Sequence, residues 1–187
     1  MVQHLMIDIE TASTRSDALV LSVGICEFHP YNASYNRSVA THHRITITEQ
    51  MLQGRHVDQD TCKWWRKQNL KAKNNTWSED GRRQVAELWD YLIDVIEDPK
   101  TTRIWANGVD FDLVVLRSLF EDFYLECPWH FKNQRCMRTL RDLPGYKPGP
   151  KPENAHDALA DAIYQATTVT DYLSKLSIKK PKTEDNT

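Results

Sequence analysis

The sequence has few of the features that mark a secreted, membrane or zinc-finger protein. Its four cysteines, Cys26, Cys62, Cys127 and Cys136, are scattered and form no C-x-x-C pair. That spacing argues against a zinc module, and reduced thiols in a cytoplasmic setting are expected. No apolar run approaches membrane-spanning length, so no membrane partner is expected. The chain opens on "QHLMIDIE", which reads as a strand and not as an export signal. Positive charge is not in excess: the formal net charge is -2 over 187 residues. The sum therefore carries no basic footprint for nucleic acid. It does not exclude a nuclease, because carboxylates that bind metal count as negative. No internal repeat is present.

What remains is the composition of an ordinary globular protein, 40% apolar and 27% charged. A chain of this length is most simply one domain with a real core. We assign that domain to residues 1–176. The polar segment "SIKKPKTEDNT", 177–187, is expected to be a mobile tail.

The pattern begins with strands. "HLMIDIE" (4–10) and "LVLSVGICEF" (19–28) are rich in β-formers. "HHRITIT" (42–48) alternates, with Ile45 and Ile47 on one face, and "PYNASYN" (30–36) connects to it. Three early strands on short links predict an antiparallel meander. A helix is expected over "DQDTCKWWRKQN" (58–69), opened by an Asp cap. Another is expected around Val85, Leu88, Trp89, Leu92, Val95 and Ile96. "RIWANG" (103–108) reads as a buried strand and 111–124 as a helix with Leu116, Leu119, Phe120 and Phe123 inward. "QRCMRTL" (134–140) reads as a further strand. The last helix places Leu159, Ala162, Ile163, Ala166, Val169 and Leu173 on one stripe. A meander followed by alternating helices and strands is an α/β plan with a mixed sheet flanked by helices.

Chemistry concentrates in three segments. Asp8 and Glu10 are two apart in a strand, so their side chains share a face. Two carboxylates aimed together from a core strand repel unless a cation lies between them. Oxygen-only ligands suit Mg2+ or Mn2+. Sixteen aspartates and ten glutamates produce about one D-x-E by chance, so the pair acquires meaning only in company. The second segment is "WANGVDFDLVVL", where Asp110 and Asp112 lie between a strand end and a helix start. Helix capping accounts for either acid taken singly. The third is "HDALADA" (156–162). Here Asp157 can cap the last helix, which puts Asp161 about one turn in and His156 on the loop before it.

Taken together, the order D-x-E, F-D at a helix start, then H-x-x-x-x-D resembles the DEDDh 3'-5' exonucleases of the RNase H-like fold. The resemblance covers about residues 4 to 173. The texture is similar to a small subgroup that includes phage exodeoxyribonucleases and mycobacterial exoribonucleases. It rests on "IDIET", on "WW" followed by Gln68, on "WANGVDFD", on "RTL" and on "HDALADA".

That likeness implies four metal carboxylates, Asp8, Glu10, Asp112 and Asp161, holding two divalent ions, Mg2+ or Mn2+. It implies His156 as general base, and the His-to-Asp spacing selects the histidine branch over the tyrosine branch. Many members carry N-x-x-x-D in the second motif, whereas here Asn107 precedes Asp110 by three positions and Asp112 by five. Asp112 is chosen because it forms the Phe-Asp pair that opens the apolar helix.

The expected reaction releases nucleoside 5'-monophosphates from single-stranded DNA or RNA 3' ends. Thr11, Trp64, Trp65 and Lys147 are the expected substrate contacts, with Arg66, Lys67 and Lys151 near phosphates. Of the two adjacent tryptophans, one is expected in the core if the other is exposed. The resemblance also allows a homodimer. The alternative from another class is a silent nucleic-acid-binding module on the same fold.

Overall fold

The computed structural model describes residues 2–33, 38–150, 152–153 and 155–176. The segment 34–36 of the early connection, Lys151 and the tail 177–187 lie outside the described residues. Five strands form one sheet: β1 (His4–Thr11), β2 (Val20–Glu27), β3 (Ala40–Arg44), β4 (Arg103–Ala106) and β5 (Gln134–Cys136). Their order is β3-β2-β1-β4-β5. The first three pair antiparallel, and β4 and β5 join as parallel strands. This is the mixed α/β sheet of an RNase H-like fold, with the predicted meander at its start.

Helices cover both faces. They are α1 (Ile47–Leu52), α2 (Gln59–Arg66), α3 (Leu70–Trp77), α4 (Val85–Val95), α5 (Asp112–Asp122), α6 (Arg138–Arg141) and α7 (Ala158–Lys175). Alternation along β1 divides the core. Leu5, Ile7 and Ile9 pack with Leu88 and Leu92 of α4 and Leu113, Leu116 and Phe120 of α5. Met6 points the other way, to Ala162, Ala166, Val169 and Leu173 of α7. Asp8 and Glu10 continue the Met6 row beyond the apolar cluster. Each fully buried Leu, Ile or Phe in these layers contributes about 1.5–3 kcal/mol relative to exposure. No helix among the described residues is long and apolar enough to cross a membrane.

Several boundaries differ from the expectation. The strand predicted over 42–48 ends at Arg44, and Ile47 opens α1 instead. Ile45 belongs to the main core, whereas Ile47 packs in a separate cluster around Leu19, Leu21 and Trp65. α1 is short, and its buried Gln50 bonds both the N–H and the C=O of Val20, a tertiary anchor that no periodicity reveals. α3 had no sequence signal beyond its Asn69 cap, because only Ala72 and Thr76 of it are buried. In "QRCMRTL" only 134–136 is strand, and the second half is α6. On α7, Ala158 and not Leu159 meets the sheet, so Leu159 lies off the buried stripe and Ile163 is half-buried.

Candidate active site

Two strands end side by side at one edge of the sheet, and the carboxylates gather there. Asp8 and Glu10 leave β1 on the α7 side and are almost fully buried. α5 begins directly after the turn that follows β4, which puts Asp112 at its first position. Asp112 Oδ1 accepts from the Ile9 N–H at 3.4 Å and Oδ2 from the Gly108 N–H at 3.3 Å. Those two bonds tie the acid to β1. Asp110 has a different fate: it is exposed in the turn, 3.5 Å from Arg138 Nη1. The structure thus brings Asp112, and not Asp110, to the carboxylate row.

The fourth acid arrives on α7. Asp157 caps that helix by accepting from the Ala160 N–H at 2.9 Å. Asp161 lies one turn in, and its Oδ2 accepts from the His156 N–H at 2.8 Å. Gly24 permits the approach. It pairs with Asp8 in the β1–β2 register, and a Cβ built on it would lie 2.1 Å from the Ala158 carbonyl oxygen. Backbone meets backbone there because no side chain intervenes. One turn beyond Asp161, Gln165 donates Nε2–H to Asp8 Oδ1 at 2.6 Å.

Burial and mutual repulsion govern the charges. Burial, then the charges of Asp112, Glu10 and Asp161, hold the Asp8 carboxyl well above its usual range, against the opposing Gln165 bond. Glu10 is pushed up to about 8 by burial and by Asp161, Asp112 and Asp157. Asp112 is pushed up to about 6 by burial, with the Gly108 and Ile9 N–H groups acting against it. A cluster of this kind takes up either protons or cations. Glu10, His156 and Asp161 offer ligand atoms that all lie within 4.8 Å of one another. Gln165 Oε1, on the same amide whose nitrogen bonds Asp8, is buried with no hydrogen-bond partner. Oxygens with a single imidazole fit a hard divalent cation such as Mg2+ or Mn2+.

His156 holds a left-handed φ of +68°, a conformation that non-glycine residues seldom adopt and that recurs at functional sites. Its ring stands edge-on to Trp64, with centroids 4.7 Å apart. Asn75 of α3 donates to Asp157 Oδ2, which braces the same corner. Two clefts flank the carboxylates and share Ile9 and Glu10. One, of about 560 Å3, is lined by Asp8, Asp161, His156, Asn107, Arg141 and Tyr146 among others. The other, of about 500 Å3, is lined by Thr11, Asp58, Asp60, Trp64 and Phe111 among others.

A common descent fits this arrangement. The sequence profile of the 3'-5' exoribonuclease Rv2179c-like domain matches residues 3–173. The chain belongs to that family. Among curated proteins no match is found. Among solved structures, the zinc-ion-bound E. coli ExoI–ssDNA complex aligns with a TM-score of 0.64 at 16% identity, covering 94% of this chain and 41% of that one. Exonuclease I in its apo form gives 0.59 at 16% identity, with 94% and 42% covered. E. coli Exonuclease I in complex with a dT13 oligonucleotide gives 0.56 at 16% identity, with 94% and 41% covered. At such identities the likeness is one of fold. The chain spans about two fifths of the length of these exonuclease chains.

The D-x-E, F-D and H-x-x-x-x-D segments converge on one sheet edge in this chain. The expected substrate contacts divide. Thr11 lines the second cleft, with its hydroxyl donated to the Ser13 carbonyl at 2.6 Å. Trp64 is 40% exposed and offers a face. Trp65 does not: it is buried, and its Nε1–H bonds the Thr11 carbonyl at 2.9 Å, so it positions the loop after Glu10. Lys147 is exposed and lies outside the cleft lining. Its neighbour Tyr146 packs against Tyr172.

Sequence reasoning also missed Gln165, Gly24 and Asn75. Gln165 was findable by its four-residue spacing from Asp161, and Gly24 as a glycine inside an apolar strand. Asn75 had no signal.

Proposed function

We propose that this chain removes nucleoside 5'-monophosphates one at a time from the 3' end of single-stranded nucleic acid. The observation that carries the reading is the convergence of Asp8, Glu10, Asp112 and Asp161, from three different elements, on one buried edge beside His156. Both the family's exoribonuclease description and the oligonucleotide complexes of Exonuclease I support it. Asp8, Glu10, Asp112 and Asp161 would hold two divalent cations. When bound, such ions neutralise the carboxylate charge and polarise the phosphodiester and a water molecule.

The protein's own groups do the rest. A ring nitrogen of His156 accepts the proton of the attacking water, a task suited to imidazole at neutral pH. The Trp64 ring limits where that imidazole can move. Asp161 accepts from the His156 N–H and so couples the loop to the acidic cluster. The cleft of Thr11, Trp64 and Phe111 receives the terminal nucleoside, with aromatic faces for the base. Asp58 at its rim would repel a further phosphate, which suits a strand end, while Asp60 is paired with Lys63 at 2.8 Å.

The test is Mg2+- or Mn2+-dependent release of mononucleotides from labelled DNA and RNA oligomers, single- and double-stranded. Release should start at the 3' end and leave a circular strand intact. Equal behaviour of wild type and Asp8→Ala would sink the reading and favour a silent binding module.

A further inference from the structure

The larger cleft holds one arginine. Arg141, at the end of α6, is the only Arg or Lys among its described lining residues. One guanidinium nitrogen, Nη2, donates to Asn107 Oδ1 at 2.7 Å. Among the described residues no acid pairs with it. Arg138, one turn earlier, differs. It reaches Asp110 at 3.5 Å and packs over Gly108, where a Cβ would meet its Cζ at 2.8 Å. Two arginines of one helix thus clasp the 107–110 turn. The charge of Arg138 is directed at carboxylates, Asp110 in the turn and Asp112 in the site. Arg141 is anchored by a neutral amide, which leaves its charge and most of its five N–H donors available.

The surrounding charge gives this a direction. A phosphodiester strand approaching four carboxylates needs a positive contact outside them. The other cleft supplies none: no Arg or Lys is among its described lining residues, and of its acids Asp58 caps α2 and Asp60 is paired with Lys63. Any phosphates beyond the scissile one lie on the 5' side of it, so that side belongs on the cleft that carries Arg141. Placement agrees. Met6–Trp105 is the last pair of the β1–β4 register, and Asn107, just past the end of β4, lines the cleft together with Asp8. Arg141 enters from α6 and reaches the cleft through Asn107, not through a carboxylate. Its guanidinium is therefore set back from the carboxylates that would hold the scissile phosphate.

We propose that Arg141, anchored on Asn107, binds the phosphate immediately 5' of the scissile one. The inference rests on the exonuclease reading above. It gives a role to the Asn-Gly turn and to the arginine that follows "RTL", both of which lie outside the carboxylate motifs.

The test uses an oligonucleotide of the sugar type that wild type cleaves, with a neutral methylphosphonate at that one phosphate. In wild type the neutral linkage should lower kcat/KM about 10- to 100-fold, the worth of one hydrogen bond to a charged group. Arg141→Ala should show that loss on the fully charged oligomer and no further loss on the substituted one. Arg141→Lys should recover part of the sensitivity to the neutral linkage. Arg141 is exposed, so neither variant should change the melting temperature. Equal sensitivity of wild type and Arg141→Ala, or full activity of Arg141→Ala on the charged oligomer, overturns the inference and leaves the exonuclease reading standing. A wild type that releases no mononucleotide overturns both.

Discussion

Replacing Glu10 by glutamine should stabilise the cation-free protein while destroying its activity. Glu10 is buried among three other acids, and its carboxyl is pushed up to about 8 from an ordinary 4.5. The folded pKa lies above the unfolded one. The stability linked to the protonated form is therefore fully present below pH 4.5 and is lost as pH rises through 8. A shift of that size sets a ceiling of about 4 kcal/mol at pH 8. Entry of water and relaxation of the cluster reduce it, and roughly 2 kcal/mol is expected, or ~4–8 °C in melting temperature for a chain of this size. Glutamine keeps the shape and cannot ionise. In EDTA, Glu10→Gln should melt above wild type at pH 8 and with it near pH 4.5. Adding Mg2+ or Mn2+ at pH 8 should raise wild type and raise the variant less. The assay is differential scanning fluorimetry across pH, with and without metal. If wild type in EDTA melts at or above the variant at pH 8, the reasoning about buried like charges is wrong.

Four further outcomes follow from the same geometry. Gly24→Ala places a Cβ 2.1 Å from the Ala158 carbonyl oxygen, so α7 must shift; a loss of about 1–3 kcal/mol in chemical denaturation and a matching fall in metal-dependent activity are expected. Trp64→Ala and Trp65→Ala should separate cleanly. The first, at a half-exposed ring, should leave the denaturation midpoint nearly unchanged and raise KM, whereas the second empties a buried site and should cost about 3–5 kcal/mol. His156→Ala should lower kcat about 10^2- to 10^4-fold with Tm nearly unchanged. Arg55 is buried, donates to the Ala18 carbonyl and pairs at 2.6 Å with Asp122, itself 39% exposed; Arg55→Ala strands the Ala18 carbonyl while water takes up Asp122, and should cost about 1–3 kcal/mol by denaturation, far from any effect on chemistry.

The legible part of this fold is the part carried by local periodicity and by capping chemistry. β1 and β2 alternate or run apolar because the sheet is covered on both faces. Asp58 and Asp157 cap helices as their positions predict. The acids were legible for a related reason: a strand's two-residue period and a helix's first turn fix side-chain direction locally, so Asp8, Glu10 and Asp161 were placed without knowing the topology. Asp110 against Asp112 rested on the Phe-Asp pair alone, because Asp110 sits in the turn and Asp112 at the first helical position, before any period separates them. That choice is made by two backbone N–H groups, Ile9 and Gly108, one of them 103 residues away in sequence. The remaining misses share that cause. α1 exists because Gln50 bonds Val20 across 30 residues, and Gly24 matters because of the Ala158 backbone. Trp64 and Trp65 follow the same logic: one helix step separates them, and only contact with the loop after Glu10 decides which is buried. Pairwise contacts at long range, more than composition, thus turn a recognisable set of carboxylates into one with a defined open side, and Arg141 stands on that side.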